Sequence, residues 1–241
     1  MLHCYIIVPY RARGNQIERK DQVEYFISYM IDYMKQFNLK FTIMVIEQYD
    51  DNLFNRGKLF NIGMLEATKL FVEGEKPYFC HQNVDLIPQK IDYSLYSEGI
   101  TDVWGYHLGL GAMYFTDLES YVKINGYPND YDGWGADDII LLERCKFNNV
   151  AVNYSLRDTI LNNKKDIVET NRLIHDEILL DFGIDNRDKW VNVKTNEINS
   201  EKVKNELSNP EIYIENGLNN CSYHIVGIVE TVYKHYFVSW N

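Results

Sequence analysis

The run Tyr5-Ile6-Ile7-Val8-Pro9 begins the part of the sequence that decides the fold. Its four apolar residues are typical of a short buried strand, and the proline after them predicts its end. From Ile17 to Phe37, apolar residues then recur mostly three and four positions apart. That spacing predicts an amphipathic helix, which we expect to pack on the strand.

The same alternation continues to residue 85. Residues 41–46 predict a second buried strand, residues 59–71 a second helix, and residues 78–80 a third strand. Strands that alternate with helices are typical of an α/β fold. We therefore predict a Rossmann-type mixed, mainly parallel sheet flanked by helices, in a single domain that comprises residues 1–241.

Arg11, Glu47 and Asp85 each come just after, or at the end of, one of these predicted strands. In open parallel sheets, ligands bind in the crevice outside the carboxyl ends of the strands. Three separate stretches of the chain would therefore deliver polar groups to one edge of the sheet. The sequence predicts a functional site along that edge.

The composition excludes several classes of protein. With 241 residues, 46% of them hydrophobic, the chain can bury one sizeable core. Its net charge of -11 works against general binding to nucleic-acid phosphates or anionic membrane surfaces. No signal-peptide pattern is present, and no apolar run approaches the roughly 20 residues of a membrane-spanning helix. We expect a cytoplasmic protein whose four scattered cysteines are reduced thiols.

The second half of the sequence predicts fewer regular elements. Residues 125–130, NGYPND, are a strong turn signal, and residues 137–147 have the pattern of a helix. A strand is predicted over residues 151–155, and one or two strands over residues 223–240. Residues 157–210 are polar and rich in Asn, Lys, Asp and Glu, so we interpret this segment as a lid or a partly mobile insertion.

Asp85 ends the run Asn83-Val84-Asp85, and Pro88 follows it. An aspartate directly after a buried strand can hold a divalent cation on a diphosphate. An isolated aspartate in this place can equally cap a turn. The run alone leaves both interpretations open.

A second acidic run follows a glycine-flanked tryptophan, in the sequence Gly133-Trp134-Gly135-Ala136-Asp137-Asp138. A tryptophan offers a flat apolar face to a sugar ring, and a carboxylate can bind a hydroxyl or take a proton from it. Both aspartates would lie in the first turn of the predicted helix, where its dipole favours negative charge. A core tryptophan in a tight turn before an acidic helix start is the alternative, and the spacing fits both.

Four separated blocks follow one another along the chain. They are Val8-Pro9-Tyr10-Arg11-Ala12-Arg13, residues 54–63 (FNRGKLFNIG), Val84-Asp85-Leu86-Ile87-Pro88, and residues 124–129 (INGYPN) with the Gly133-Trp134-Gly135 run and its two acids. In this order they resemble the β-1,4-galactosyltransferase family of family 7 glycosyltransferases, which are of GT-A type. Residues 217–220 and the strand-like tail are similar as well, so the likeness covers most of the chain except residues 157–210.

The resemblance implies which residues bind the nucleotide sugar. The uridine and diphosphate pocket would be lined by Pro9, Tyr10, Arg11, Arg13, Phe54, Asn55 and Arg56, with Val84 and Gly135 also in contact with substrate. Guanidinium groups suit this task because they stay charged and fork onto phosphate oxygens. Lys58 and Asn61 lie in the same motif, but their side chains could instead cap the helix or point to solvent.

The resemblance also implies a mechanism. Asp85 would bind the cation, by resemblance Mn²⁺, and Trp134 would touch both substrates. Asp137 would hold the acceptor, and Asp138 would be the general base that takes a proton from the attacking hydroxyl. A single displacement of this kind inverts the anomeric centre without a covalent intermediate.

Two positions depart from the family's pattern at the metal. Asn83 stands where the family has an aspartate, and residues 152–158 contain no His or Met where the family has a histidine ligand. Three interpretations remain. The ion could be held through Asp85, the phosphates and water. His175 could be brought in by the polar segment, or Arg157 and neighbouring cations could replace the metal.

The sequence therefore predicts a UDP-sugar hexosyltransferase, with galactose or an N-acetylhexosamine passed to a glycan acceptor. The alternative is a degenerate, non-catalytic domain that binds carbohydrate or nucleotide sugar. The two metal positions that depart from the family's pattern would suit such a domain. A nucleotidyltransferase lacks support because no glycine-rich phosphate loop with a basic end is present. Since the chain begins almost directly with the first motif, we expect an enzyme of bacterial or viral type.

Overall fold

A computed structural model of the chain describes residues 1–12, 17–88, 91–94, 98–104, 109–162, 186–209 and 211–240. Within these ranges the side chains of residues 17–20, 159–162 and 186–192 are not described. Arg13 and His175, two candidates from the sequence, lie outside the described residues. The same holds for residues 163–185, the middle of the predicted lid or insertion.

The described residues form one eight-stranded mixed sheet. Its strands are β1 (Leu2–Tyr10), β2 (Lys40–Gln48), β3 (Lys76–Gln82), β4 (Ile100–Trp104), β5 (Met113–Thr116), β6 (Val152–Asn153), β7 (His224–Glu230) and β8 (Lys234–Ser239). The strand order is β6-β4-β5-β3-β1-β2-β8-β7. The central strands β3, β1, β2 and β8 are parallel, whereas β5 and β7 run antiparallel to their neighbours. The predicted mixed, mainly parallel sheet is confirmed.

Seven helices flank or extend this sheet in the described chain. They are α1 (Ile17–Met34), α2 (Arg56–Thr68), α3 (Leu118–Lys123), α4 (Asp137–Phe147), α5 (Ser155–Asn162), α6 (Asn186–Ser208) and α7 (Ile212–Glu215), with a short 3₁₀ turn at Leu218–Asn220. The predicted β-α-β-α-β start and the helix over residues 137–147 are confirmed. No helix within the described ranges is both long and apolar enough to cross a membrane.

The central strand β1 is buried on both faces. Tyr5 and Ile7 pack with α2 on one side of the sheet, and Cys4, Ile6 and Val8 pack with α1 on the other. A parallel strand covered by helices on both faces is expected to be a continuous apolar run rather than an alternating one. This explains why the opening run was sufficient to predict the arrangement.

The strand does not end where the sequence predicts. β1 continues through Pro9 to Tyr10, and Pro9 lies opposite Ile46 of β2. Pairing with β3 has already ended at the pair Ile7 and His81. A proline is therefore tolerated here, because it occupies the end of the ladder on that side.

The strand predicted over residues 151–155 is much shorter. Only Val152–Asn153 forms β6, and α5 begins at Ser155. The backbone N–H of Ser155 donates to the side-chain oxygen of Asn153 at 2.9 Å. An asparagine that accepts from the backbone two residues on favours a turn over a strand ladder, so Arg157 lies on a helix instead.

The second half of α6 packs against the rest of the domain through a buried arginine. Arg144 of α4 is fully buried and binds both carboxylate oxygens of Glu206 at 2.6 and 3.2 Å. Its remaining donors reach the carbonyl oxygens of Gly126 at 2.9 Å and Asn216 at 2.8 Å. One guanidinium thus joins α4, α6 and two loops. The interpretation of residues 157–210 as a lid or a partly mobile insertion stays a prediction.

We predict that Glu206→Gln destabilises the protein strongly, because it leaves the buried charge of Arg144 uncompensated. Breaking a buried ion pair in this way costs about 3–5 kcal/mol, which urea denaturation would measure. Glu201→Gln is the matched control, since Glu201 lies on the same helix in an exposed pair with Lys204 at 3.0 Å. Exposed pairs of this kind contribute little. Equal stability of the two variants would contradict the role given to Arg144.

Candidate active site

The carboxyl ends of β1 and β2 meet as predicted and are joined by Arg11. This side chain donates to the carbonyl oxygen of Asp50 at 3.0 Å and to that of Asn52. Both belong to the loop that follows β2. The predicted diphosphate-binding arginine is therefore held at the strand edge by backbone oxygens, which are neutral partners within the described part of the chain.

Buried Gln48 fixes the shape of that loop. Its amide nitrogen donates to Asp50 Oδ1 at 2.8 Å and to the carbonyl oxygen of Leu53 at 3.1 Å. Its amide oxygen accepts from the backbone N–H of Asn55 at 2.9 Å. The segment from the end of β2 to the start of α2 is thus pinned by one side chain, which connects Arg11 to the second motif.

Asn55 caps α2 and ties it to the acidic loop. Its side-chain oxygen accepts from the N–H of Lys58 at 2.8 Å, as an N-cap residue does. Its amide nitrogen donates to the carbonyl oxygen of Asn129 at 2.9 Å and to Asp132 Oδ1 at 3.0 Å. The backbone of Phe54 accepts from the N–H of Gly133 at 2.8 Å. The second and fourth sequence blocks are therefore in direct contact.

Arg56, the first residue of α2, forms the central ion pair of the site. Its Nε and Nη2 both lie 2.7 Å from Asp137 Oδ2, and both side chains are largely buried. Burial alone would lower the pKa of Arg56, but the charges of Asp137 and Asp138 raise it above its usual value. The guanidinium therefore stays charged.

Asp138 is next to this pair in the first turn of α4. Burial raises the pKa of its carboxyl group, the negative charge of Asp137 raises it further, and the positive charge of Arg56 lowers it. The Asp138 side chain accepts a hydrogen bond from the N–H of Ile139 at 3.0 Å. A partly buried carboxylate with a raised pKa is suited to accept a proton near neutral pH.

The loop before α4 presents Trp134 to solvent. Its exposed fraction is 61%, so the interpretation as a core tryptophan is wrong. Gly133 and Gly135 have φ values of +77° and +107°, and a Cβ on either would lie 2.7 Å from Thr195 or 2.1 Å from Asn196. The backbone N–H of Trp134 donates to Thr195 Oγ1 at 3.2 Å. The loop is therefore pressed against α6, and only glycine fits on either side of the tryptophan.

The run that contains Asp85 is linked to this group through the segment 110–112. The N–H of Leu110 donates to the Asp138 carbonyl oxygen at 2.9 Å, and the Gly111 carbonyl oxygen accepts from Arg56 at 3.4 Å. The next carbonyl, of Ala112, accepts from the N–H of Asn83 at 2.9 Å. Three consecutive residues thus link the end of β3 to Arg56 and to the start of α4.

The donors near Asp85 fit a hard cation only in part. The side-chain oxygen of Asn83 is buried and has no hydrogen-bond partner among the described residues, so two side chains of this run, Asn83 and Asp85, could act as oxygen ligands. In the part of the chain that the structure describes, no three His, Cys, Asp or Glu side chains come together to hold a metal ion. Two side-chain ligands suit a cation that keeps water and takes its other ligands from a bound phosphate.

The side chain of Arg157 is engaged in an ion pair and is not available to replace that cation. Its Nη1 is 2.6 Å from Asp102 Oδ2, and the Asp102 side chain is fully buried in β4. The hypothesis that Arg157 substitutes for the metal is therefore not supported, because its charge already compensates a buried carboxylate.

The other candidate residues of the first three sequence blocks that the structure describes are buried or half-buried. Pro9 and Tyr10 are buried within the sheet, and Val84 is half-buried against the α1 side of the core. Asn61 is a structural residue, because its side chain makes four hydrogen bonds to the segment 121–129 at 2.7 to 3.0 Å. Lys58 is buried with its ammonium group 4.6 Å above the Trp240 ring.

Sequence reasoning missed three parts of the site. Gln48 acts through its side-chain amide and the segment 110–112 through its backbone, and the sequence has no specific signal for either. Thr195 lies in the segment that resembles the family least. The closely spaced glycines around Trp134 were the one available sign that another element approaches that loop.

Comparisons with known proteins give the family. Residues 2–98 match the model of the N-terminal region of glycosyl transferase group 7, and residues 101–163 match the model described as the N-terminal domain of galactosyltransferase. Together the two models span about two thirds of the chain. β-1,4-Galactosyltransferase 4 of Rattus norvegicus is 26% identical over 235 residues, which is 92% of this chain and 59% of that protein. The chain thus spans about three fifths of the length of this curated relative.

Two solved structures of Drosophila β1,4-galactosyltransferase 7 have the same fold. The catalytic domain in complex with xylobiose has a TM-score of 0.66, and a mutant in complex with manganese, UDP-Gal and xylobiose has a TM-score of 0.64. Each is 18% identical, over 100% of this chain and 95% of that one. The predicted GT-A-like fold is confirmed. With both family models matched in the expected order, the chain belongs to the group 7 glycosyltransferases.

Proposed function

We propose that this chain is an inverting glycosyltransferase that passes galactose or an N-acetylhexosamine from a UDP-sugar to a hydroxyl of a glycan acceptor. The observation that carries the proposal is the group of Arg56, Asp137 and Asp138 beside the exposed Trp134. The Drosophila relative with UDP-Gal, manganese and xylobiose in its structure supports the same class of donor and acceptor.

The donor would bind along the strand edge. Among the described residues Arg11 is bound by backbone carbonyl oxygens, so its positive charge is available to a diphosphate. Arg56 lies at the first turn of α2, whose N-terminal N–H groups also favour an anion. A divalent cation on Asp85, when bound, would neutralise the departing diphosphate.

The acceptor would lie across the site from the donor, next to Trp134 and Asp137. The exposed ring of Trp134 offers a stacking surface for a sugar, and Asp137 can accept a hydrogen bond from an acceptor hydroxyl. Asp138 takes the proton of the attacking hydroxyl as its oxygen bonds to the anomeric carbon. The bond from that carbon to the diphosphate breaks on the other face, so the centre inverts.

We predict that Asp138→Asn lowers turnover by about 100- to 10,000-fold, the usual contribution of a general base. UDP binding should be retained, because the ion pair of Arg56 with Asp137 is untouched. Asp130→Asn, a change of an exposed carboxylate on the preceding loop, is the control and should keep turnover. Transfer of sugar from UDP-galactose or UDP-N-acetylhexosamines to small glycans is the measurement. Unchanged turnover in Asp138→Asn would reject this base, and a wild type that binds UDP-sugars without turnover would favour the binding-domain alternative.

We predict that the fall of kcat/KM at acidic pH, the acidic limb of its pH profile, reports the protonation of Asp138. The base acts deprotonated, so activity is lost as pH falls through its pKa, which is raised in this site. Asp137→Asn removes a neighbouring negative charge, lowers that pKa and should move the limb to lower pH. Arg56→Gln removes the positive charge and should move the limb the other way. Limbs that stay at the wild-type pH in both variants would contradict the assignment.

We predict that the cation binds mainly together with the nucleotide, because Asp85 and Asn83 are only two side-chain ligands. Mn²⁺ alone should barely change the melting temperature, whereas Mn²⁺ with UDP should raise it more than UDP alone. Asp85→Asn should abolish this additional rise. Asp32→Asn, which changes an exposed carboxylate on α1, should keep it. The same rise in Asp85→Asn as in the wild type would exclude Asp85 as a ligand.

A further inference from the structure

The strand β7 is an unusually apolar edge. It is the last strand of the sheet, and among the described residues its one neighbour in the sheet is β8. The side chains of Ile225, Val226, Ile228 and Val229 have exposed fractions between 38% and 54%. An edge strand of seven residues with an unpaired row of backbone groups and exposed apolar side chains is a template for another strand.

The usual protections of an edge strand are mostly missing. Residues 225–229 (IVGIV) contain no lysine, other charge or proline. The chain as a whole has a net charge of -11, so the absence of charge here is local. One protective feature is present, since the pairing with β8 shifts register between Ile225 and Gly227, which is the mark of a bulge.

The sequence of β7 is nearly palindromic in residue type: two β-branched apolar residues lie on each side of Gly227, and a polar residue lies at each end. It reads His224-Ile225-Val226-Gly227-Ile228-Val229-Glu230. If two copies of this strand paired antiparallel about Gly227, Val226 would face Ile228 of the second copy. At each end His224 would face Glu230 of the second copy.

Such a pair is complementary in both packing and charge. Two β-branched residues would face each other at the inner positions, which is a favourable cross-strand pair. Each end would hold an imidazole beside a carboxylate. Glu230 already accepts from Lys234 at 2.6 Å, and a carboxylate has capacity for a second donor. A shift of the register by two residues would lose both end pairs.

We propose that β7 is a docking edge for a second copy of this chain, which adds its own β7 antiparallel about a two-fold axis at Gly227. The two sheets would then continue into each other. Isologous contacts of this kind are the commonest in homo-oligomers. The candidate active site lies at the carboxyl ends of β1, β2 and β3, so both copies would keep it open.

The first test is the mass of the full chain in solution. A strand pair buries less than a standard interface of about 1,600 Å², so sedimentation should be followed over a range of concentrations. The wild type should approach twice the monomer mass as concentration rises. Ile228→Lys should stay monomeric, with an unchanged thermal melt. Val122→Lys, which places the same charge on an exposed valine of α3, should dimerise like the wild type.

The second test reads the register by disulfide trapping. A Cβ at Gly227 would meet its nearest side-chain atom at 3.6 Å, so Gly227→Cys fits. Under oxidised glutathione it should cross-link to itself, because two copies meet at the axis. Val226→Cys and Ile228→Cys should each fail to self-link but should link when mixed. The wild type controls for Cys221, the one partly exposed native cysteine among the four.

Three outcomes would overturn the proposal. They are a wild type that stays monomeric at every concentration, a dimer that Ile228→Lys leaves intact, and a Gly227→Cys variant that does not cross-link. A monomer would mean that the bulge protects the edge or that a different segment or protein covers it. Self-linking of Val226→Cys with no link through Gly227→Cys would mean a different register.

Discussion

The contact between the N-terminus of α2 and the start of α4 is the constraint on which the site depends. The guanidinium of Arg56 is too deeply placed to go without a counter-charge, and Asp137 supplies it at 2.7 Å. Asn55 fixes the same junction through Asn129 and Asp132. Because these residues belong to a helix and a loop more than 70 positions apart, formation of the fold and assembly of the site are the same event.

The charge balance of this junction follows from the same contact. One arginine faces two aspartates, and its ion pair compensates Asp137. The remaining negative charge belongs to Asp138, whose partly buried carboxylate is therefore easier to protonate than an exposed one. Each unit of such a shift corresponds to about 1.4 kcal/mol. The protein thus gives up some stability at the position where a proton acceptor of higher basicity is useful.

The sequence predicted local features better than contacts between distant segments. The apolar run at β1 and the helical spacing that follows predict the α/β layers, and the acidic pair falls in the first turn of α4 as expected. The exposure of Trp134 could not be read from its flanking glycines, because a core position and a displayed one need the same backbone freedom. Arg144 resembles any surface charge on a helix, since its partner Glu206 lies 62 positions away.

The part of the chain that resembles the family least has a structural task beside the site. Thr195 and Asn196 of α6 lie against Gly133 and Gly135 so closely that neither glycine could take a side chain without displacing the helix. The tryptophan loop and α6 can therefore change only together. The donor side is built from strand ends and α2, and it meets the tryptophan loop where the N–H of Gly133 donates to the Phe54 carbonyl oxygen at 2.8 Å. On the proposed function, the ion pair of Arg56 with Asp137 joins the donor side to the acceptor side, so a change at this junction would alter both.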